Sequence, residues 1–335
     1  MAITNSTLPL VLRRASEVWP GSMTEKDFVA NIDTLFAIRD QQTARIDYAN
    51  LPDGVDARIA WLNNCDITVD TYTSTECTFS GPEADSYKKD LTIDQARETT
   101  FSVPLDAWRD NLFGFADAVA VNLNKTMVAQ AEYVAQYCVG VLNANLGTNT
   151  YNNNEQWTVS GTTNTIPGAQ WGSTSIMGKF ILAGRKNRIN NPILLSGENL
   201  YELAYAARTS AANGEGKGDF QRIQAMPIYN DIFNVDEVNA GSLLTYMIER
   251  GALAFLSKGY YPTTPETLNG NFQRFSIANR FFPTLIHDVE TLVDCTSGVW
   301  SQHWKVIPRY KLEVNPTGCT ATRTGILAFT NGGGV

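Results

Sequence analysis

Between Pro104 and Gly147 the apolar residues Leu105, Trp108, Leu112, Phe115, Val119, Leu123, Met127, Ala131, Val134, Cys138 and Leu142 follow one another at steps of three or four. This is the period of one face of an α-helix, and a single helix accounts for every member of the series. Pro104 suits a first turn, where a missing N–H costs nothing. Asp106 complements the positive end of the helix dipole, and Gly147 stands where a C-terminal cap belongs. At 1.5 Å per residue the series spans about 55–60 Å, well beyond the usual three or four turns. The segment reads as a structural beam around which the rest of the chain must be arranged.

The flanking segments have other textures. Residues 1–54 read as an extended arm with one amphipathic helix, capped by Ser22 or Thr24 and running through Phe28, Ile32, Leu35 and Phe36 to a turn at Leu51-Pro52-Asp53-Gly54. From 55 to 103 the chain turns to β: CDITVDTYTSTECTF alternates, GPEADSYKKD forms a polar tip, and LTIDQARETTFSV returns as strand. Such a long hairpin has little to bury within itself and is expected to pack on another chain.

After the beam, Asn149–Trp171 reads as loops with a short strand near QWTV. A second helix is expected from Ser173–Ser175 to Arg188, with Arg185, Lys186 and Arg188 at its negative end and Asn190-Asn191-Pro192 stopping it. PILLS is a short buried strand, and Ser196 is expected to cap a third helix holding Leu200, Tyr201, Leu203 and Tyr205. RTSAANGEGKGDFQ is an exposed loop. AMPIYNDI, SLLTYMI and ERGALAFLSKG are expected as strand, strand and short helix, and Phe272–Phe329 as mostly strand, broken near Thr296–Gly298 and Pro316–Gly318.

Composition limits the chemistry. With 335 residues, 43% of them hydrophobic, the chain buries a sizeable core. Lys and Arg number 26 against 34 for Asp and Glu, a net charge of -8 that argues against a surface gripping nucleic acid everywhere. The start MAITNSTLPLVLRRASEVWPG lacks the pattern of a secretory signal, and no run reaches the length of a membrane span, so a soluble protein made in the cytoplasm is expected. Cys65, Cys77, Cys138, Cys295 and Cys319 are odd in number and widely spaced, which implies reduced structural thiols; whether Cys295 and Cys319 approach each other stays open.

Catalytic patterns are scarce. Only His287 and His303 are present, there is no HExxH or GxSxG, and His303 reads as a strand position beside aromatics. NGEGKGD around Lys217 and the pair Gly178-Lys179 lack the spacing of a phosphate-binding loop. Asp231, Asp236 and Glu237 read as a solvated surface rather than an acid/base or calcium site. No cofactor, metal or catalytic residue is expected. Arg13 and Arg14 are suited to nucleic acid or to an acidic protein surface.

The order of parts is the informative pattern: arm, β-hairpin, long helix, second helix, strand with helix, glycine loop, β-rich ending. It resembles the major capsid proteins of tailed bacteriophages, with the Hong Kong 97-like α+β fold. KKDLTIDQARETTFSVPLDAWRDNLFGFADAVAVNL (88–123) is similar to that family's extended-loop return strand and spine helix. NPILLSGENLYELAYAA (191–207) is similar to the start of its axial domain, and LLTYMIERGALAFLSKG (243–259) to its strand followed by a helix.

The resemblance implies an N-terminal arm over 1–54 and an extended β-hairpin loop over 55–103. It further implies a peripheral domain with the spine helix over 104–190 and 291–335, and an axial domain over 191–290. It implies a virion shell protein and no enzyme, self-assembling into pentamers and hexamers of an icosahedral head around double-stranded DNA contacted weakly. A separate scaffolding protein, portal and decoration proteins are implied partners, since no long charged coiled-coil segment precedes the arm, and no membrane is involved. Arg13, Arg14, Trp19, Tyr87, Lys88, Lys89, Gly214 and Lys217 are the implied assembly contacts. The alternatives are an encapsulin-like compartment shell of the same fold, an α+β enzyme built on His287 or His303, and a carbohydrate-binding surface protein, which the missing export signal disfavours.

Overall fold

A computed structural model describes residues 31–49, 51–62, 86–105, 114–171, 175–201, 222–223, 226–240, 243–269, 271–296, 298–315 and 324–332. The chain divides into two compact units, one drawn from the described parts of Met1–Leu35, Ile93–Tyr137 and Leu256–Lys311, the other from those of Phe36–Thr92, Cys138–Phe255 and Leu312–Val335.

The first unit lays the helix Phe115–Ala144, through Tyr137, on the inner face of an antiparallel sheet. Its backbone is the strand Val299–Val314, which pairs with Ile286–Thr296 on one edge and with Thr99–Pro104 on the other. Phe272–Ala278 and Glu266–Asn269 extend the sheet beyond Ile286–Thr296. Alternation sends Val103, Trp304, Val306, Val289 and Phe275 to the face that meets Val119, Leu123 and Met127. Two amides fix the helix to the sheet: Gln130 Nε2 donates to the Val306 carbonyl at 2.8 Å, and Asn279 Nδ2 donates to the Met127 carbonyl at 2.9 Å.

The long helix is shorter at both ends than the periodicity predicts. Pro104 closes the strand Thr99–Pro104, opposite Ser301, instead of opening the helix. The described helix begins after Gly114, whose N–H donates to Asp117 Oδ2 at 3.0 Å; Asp106, Trp108 and Leu112 lie outside the described residues. Gly147 is no cap, since its N–H donates to the Ile326 carbonyl at 2.7 Å and joins the loop to a strand. The helical spacing begins at Leu105, whose N–H donates to the Trp300 carbonyl at 2.8 Å, and there pairing decides the structure.

One buried carboxylate ties the sheet to the segment after Ser257. Asp288, fully buried, accepts from Arg309 Nε at 2.9 Å, Ser276 Oγ at 2.6 Å and the Tyr260 N–H at 2.9 Å. Each donor lowers the cost of keeping this charge out of water.

The second unit is built on a seven-stranded mixed sheet in the order Thr158–Ser160, Thr163–Ile166, Ile326–Asn331, Leu244–Ile248, Ile193–Ser196, Met226–Asn230, Arg222–Ile223. Its core gathers Tyr151, Trp157, Trp171, Phe180 and Phe329, with the Phe180 and Phe329 rings edge to face at 4.9 Å. The end of the long helix is held by a closed ring of hydrogen bonds: Tyr246 Oη donates to Asn143 Oδ1 at 2.5 Å, Asn143 Nδ2 to Asn239 Oδ1 at 2.7 Å, and Asn239 Nδ2 to Tyr246 Oη at 2.7 Å.

The helix Ser175–Lys186 approaches the strand Leu244–Ile248 closely: a Cβ added at Gly184 would lie 3.2 Å from Met247 Sδ. It ends in a paired cap, with Arg188 N–H on the Arg185 carbonyl at 3.1 Å and Ile189 N–H on the Gly184 carbonyl at 2.8 Å. Arg188 takes φ +57° at the position this motif reserves for glycine, a conformation that costs an L-residue about 1 kcal/mol.

Other expectations are corrected. ERGALAFLSKG forms the strand Leu253–Ser257, buried throughout, instead of a short helix. A fully apolar run carries neither period, so burial alone does not distinguish helix from strand there. The expected arm helix is described only from Asp33 to Gln41, so Ile32 precedes it, and Ser22, Thr24 and Phe28 lie outside the described residues. The Ser196 hydroxyl meets Thr245 Oγ1 at 2.8 Å instead of capping, and a 3-10 turn, Glu198–Leu200, follows Gly197; Leu203 and Tyr205 of the expected third helix lie outside the described residues. The helix Ile232–Val238 and the strand Thr163–Ile166 were not foreseen. Asp231 is buried as the cap of that helix, accepting from the Asn234 N–H at 3.1 Å, not solvated.

Replacing Asp288 by Ala leaves Arg309, Ser276 and the backbone N–H groups of Tyr260 and Tyr261 facing a vacated site. The expected loss is about 3 kcal/mol of unfolding free energy, read from the denaturation midpoint of the full chain.

Candidate assembly surfaces

The hairpin predicted over 55–103 is described at its base. Ala57–Leu62 pairs antiparallel with Ser86–Leu91, in the register Ala60 to Lys88 and Ile59 to Lys89, and Arg45–Asp47 adds a third strand. One face is buried, through Ala57, Ile59 and Trp61, so the base is more sheltered than the sequence suggests. The return limb divides: Thr99–Pro104 leaves the first limb and pairs with Val299–Val314.

The other face is exposed at Lys88 and Asp90, and one edge has no strand partner among the described residues. Ser86–Leu91 is one of the two edge strands of the three among the described residues, and it carries Tyr87, Lys88 and Lys89 in succession. Lys88 is exposed, whereas Lys89 is spent within the chain on an ion pair with Glu313. Arg58 forks onto Asp90 at 2.6 and 2.9 Å, and this hydrogen bond holds the Asp90 carboxyl below its usual range. Of the eight implied contacts, the structure thus groups Tyr87, Lys88 and Lys89 on one strand, while Arg13, Arg14, Trp19, Gly214 and Lys217 lie outside the described residues.

A surface not foreseen lies on the outer face of the first unit's sheet. Register aligns Ser102, His303, Leu292 and Phe272 in one row across four strands, and Thr100, Lys305, Glu290 and Arg274 in the next. The rows border an open groove of about 420 Å³. Lys305 stands between Glu98 at 3.1 Å and Glu290 at 3.7 Å, and Arg274 meets Glu266 at 2.9 Å. Opposite charges facing each other across neighbouring strands stabilise the sheet and leave the row nearly neutral. At the turn of the same hairpin Val299 and Trp300 are each 48% exposed, with Cys295 directly opposite Trp300. Strand alternation over 286–308 was the signal that carried this surface, but it does not say which face is covered.

The two histidines sit in different surroundings. His287 is fully buried, its Nε2 accepts from Asn279 Nδ2 at 2.9 Å, and burial pushes its pKa down to about 3. His303 occupies the strand position expected of it and lines the groove together with Glu290. The Tyr261 hydroxyl donates to Glu290 at 2.5 Å, and that bond, with partial burial, pushes its pKa up to about 12. Among the described residues no group of His, Cys, Asp and Glu is placed to hold a metal ion, and no helix is long and apolar enough to cross a membrane.

No family model and no curated protein matches the chain. Among solved structures it is similar to the "Cyanophage A-1(L) capsid asymmetric unit", at 15% identity and a TM-score of 0.51, covering 98% of this chain and 99% of that one. The "Capsid structure of the Cyanophage P-SCSP1u" (11% identity, 84% of both chains, TM-score 0.45) and "Mycobacterium phage Che8" (15%, 86% of this chain and 92% of that one, TM-score 0.44) are also similar. The first likeness defines the class: an α+β phage capsid fold, shared along nearly the whole of both chains. This is the fold that the order of sequence elements implies.

Because the folded-state pKa of His287 lies below its ordinary 6.5, the stability gained by keeping the ring neutral is complete above that pH and is lost as the pH falls toward 3. His287→Gln keeps an acceptor for Asn279 without a titrating ring. Thermal melts at pH 7 and pH 4.5 should therefore differ less in this variant than in the parent.

Proposed function

We propose that this chain is the major capsid protein of a tailed bacteriophage, a structural and non-enzymatic subunit that closes into an icosahedral head of pentamers and hexamers around double-stranded DNA. The observation that carries the reading is the fold shared over 98% of this chain with a cyanophage capsid unit. Further support comes from the outer strand Ser86–Leu91 and the exposed Trp300 turn, since backbone edges and large aromatics kept in water are what a repeated contact covers. Contacts repeated around a closed shell add up without any single one being tight.

Within this reading, residues 1–54 form the arm, 55–103 the extended loop, 104–190 with 291–335 the peripheral domain and 191–290 the axial domain. Arg13, Arg14, Trp19, Tyr87, Lys88, Lys89, Gly214 and Lys217 act at contacts between copies. A scaffolding protein directs closure, and portal and decoration proteins complete the head in the virion, after synthesis in the host cytoplasm.

Electron microscopy and light scattering of the purified, concentrated chain should show closed shells or capsomers. A species that stays monomeric at 36.9 kDa under all conditions sinks the proposal. Lys88→Glu should raise the concentration needed for assembly about tenfold, the effect of about 1.4 kcal/mol lost per contact, while leaving the melting temperature of the unassembled chain unchanged.

A further inference from the structure

Ile232 and Phe233 stand side by side on the helix Ile232–Val238, 40% and 48% exposed, while Asn234 and Val235 on its other side are buried. One turn on, Asp236 shares their face. Its Oδ2 accepts from the Glu198 N–H at 2.8 Å, so a second carboxylate, the exposed Glu198, belongs to the same patch. Among the described residues neither Glu198 nor Asp236 forms an ion pair. Burial, with the Glu198 and Asp231 charges nearby, pushes the Asp236 carboxyl above its ordinary range. Two large apolar side chains beside uncompensated negative charge are costly to leave in water, and a partner that is both apolar and cationic relieves both costs.

The same unit carries a matching surface. On the helix Ser175–Lys186, Leu182 is 42% exposed, and Arg185 and Lys186, one turn further, are exposed on the same side. The negative end of the helix dipole accounts for the two cations, and a lone exposed leucine is ordinary. What neither accounts for is the correspondence of the two patches, each apolar at its centre and the two of opposite sign. They are kept apart within one chain. Met177 and Phe180 of this helix share a core with Leu194 and Met247, whereas Asn239, which caps the helix Ile232–Val238, donates to Tyr246 Oη at 2.7 Å. Successive residues of a strand point to opposite faces, so the two helices cover opposite faces of the seven-stranded sheet.

We propose that a second copy of this chain seats its Leu182, Arg185 and Lys186 on the patch of Ile232 and Phe233, with its cations facing Glu198 and Asp236. The inference rests on the shell reading above and names a contact that the reading leaves open. Because the two patches lie on opposite faces of one unit, the contact runs head to tail and repeats from copy to copy, closing into a ring where the rotation allows. A face-to-face pair of identical patches would instead set carboxylate against carboxylate, which these charges oppose. Apolar contact at the centre supplies the attraction, and the charges decide which faces meet.

The test mixes isotopically light and heavy copies of the full chain, lets them assemble, and joins touching ammonium and carboxylate groups with a carbodiimide. Mass spectrometry should find Lys186 joined to Glu198 in peptide pairs of mixed isotope, the mark of a link between copies. Phe233→Ser should raise the concentration needed for assembly about tenfold while leaving the melting temperature of the unassembled chain in place, whereas a role confined to the fold would lower that temperature. Lys186→Glu should weaken assembly to a similar degree. Lys186→Glu/Glu198→Lys should restore it, a rescue that dipole neutralisation does not produce. Assembly without the mixed link, or a double variant no better than Lys186→Glu alone, overturns the contact and leaves the shell. Rings that carry the link and never close into shells keep the contact and remove the shell reading. A chain that stays monomeric at every concentration removes both.

Discussion

The long helix can persist only because something covers its apolar stripe. In water a helix of this length loses little by unwinding, so its persistence depends on Val119, Leu123 and Met127 meeting Val103, Val289, Trp304 and Val306. Apolar contact is indifferent to small slips along the axis, and Gln130 and Asn279 supply the missing precision. Each amide is bonded to a particular backbone carbonyl on the opposing element, and a shift of one residue would break both bonds. Burial thus provides the energy and two amides provide the register.

Several of the polar groups inside the molecule hold it together. Asp288 is surrounded by donors and His287 is sealed from solvent; Tyr261 is bound to Glu290, and the Tyr246, Asn143 and Asn239 ring closes on itself.

Much of the architecture was legible because periodicity survives in long elements. The beam, the helix Ser175–Lys186, the strand Ile193–Ser196 and the β-rich ending all announce themselves through spacing or through stop signals such as Asn190-Asn191-Pro192. Failures fall where spacing is silent. Leu253–Ser257 is apolar from Leu253 to Leu256 and so carries no period, and Ile232–Val238 is too short to establish one. Pro104 satisfies the rules for a helix start and for a strand end alike, and pairing with Ser301 decides between them. The candidate surfaces were less legible: the sequence reads Tyr87, Lys88 and Lys89 as part of a polar tip, whereas they lie on the paired strand Ser86–Leu91, and the row from Ser102 to Phe272 exists only once four strands are in register.

Lys88 has a further consequence for a chain made in many copies. Among the described residues the strand that bears it has one edge without a ladder partner, the kind of edge that in other sheets ends in fibres. A second molecule offering the same strand brings its own ammonium group toward the first, and mutual repulsion discourages the match. A visitor bearing carboxylates meets no such objection. One side chain thereby filters the company the strand keeps, refusing endless self-stacking while leaving the door open to a differently charged mate.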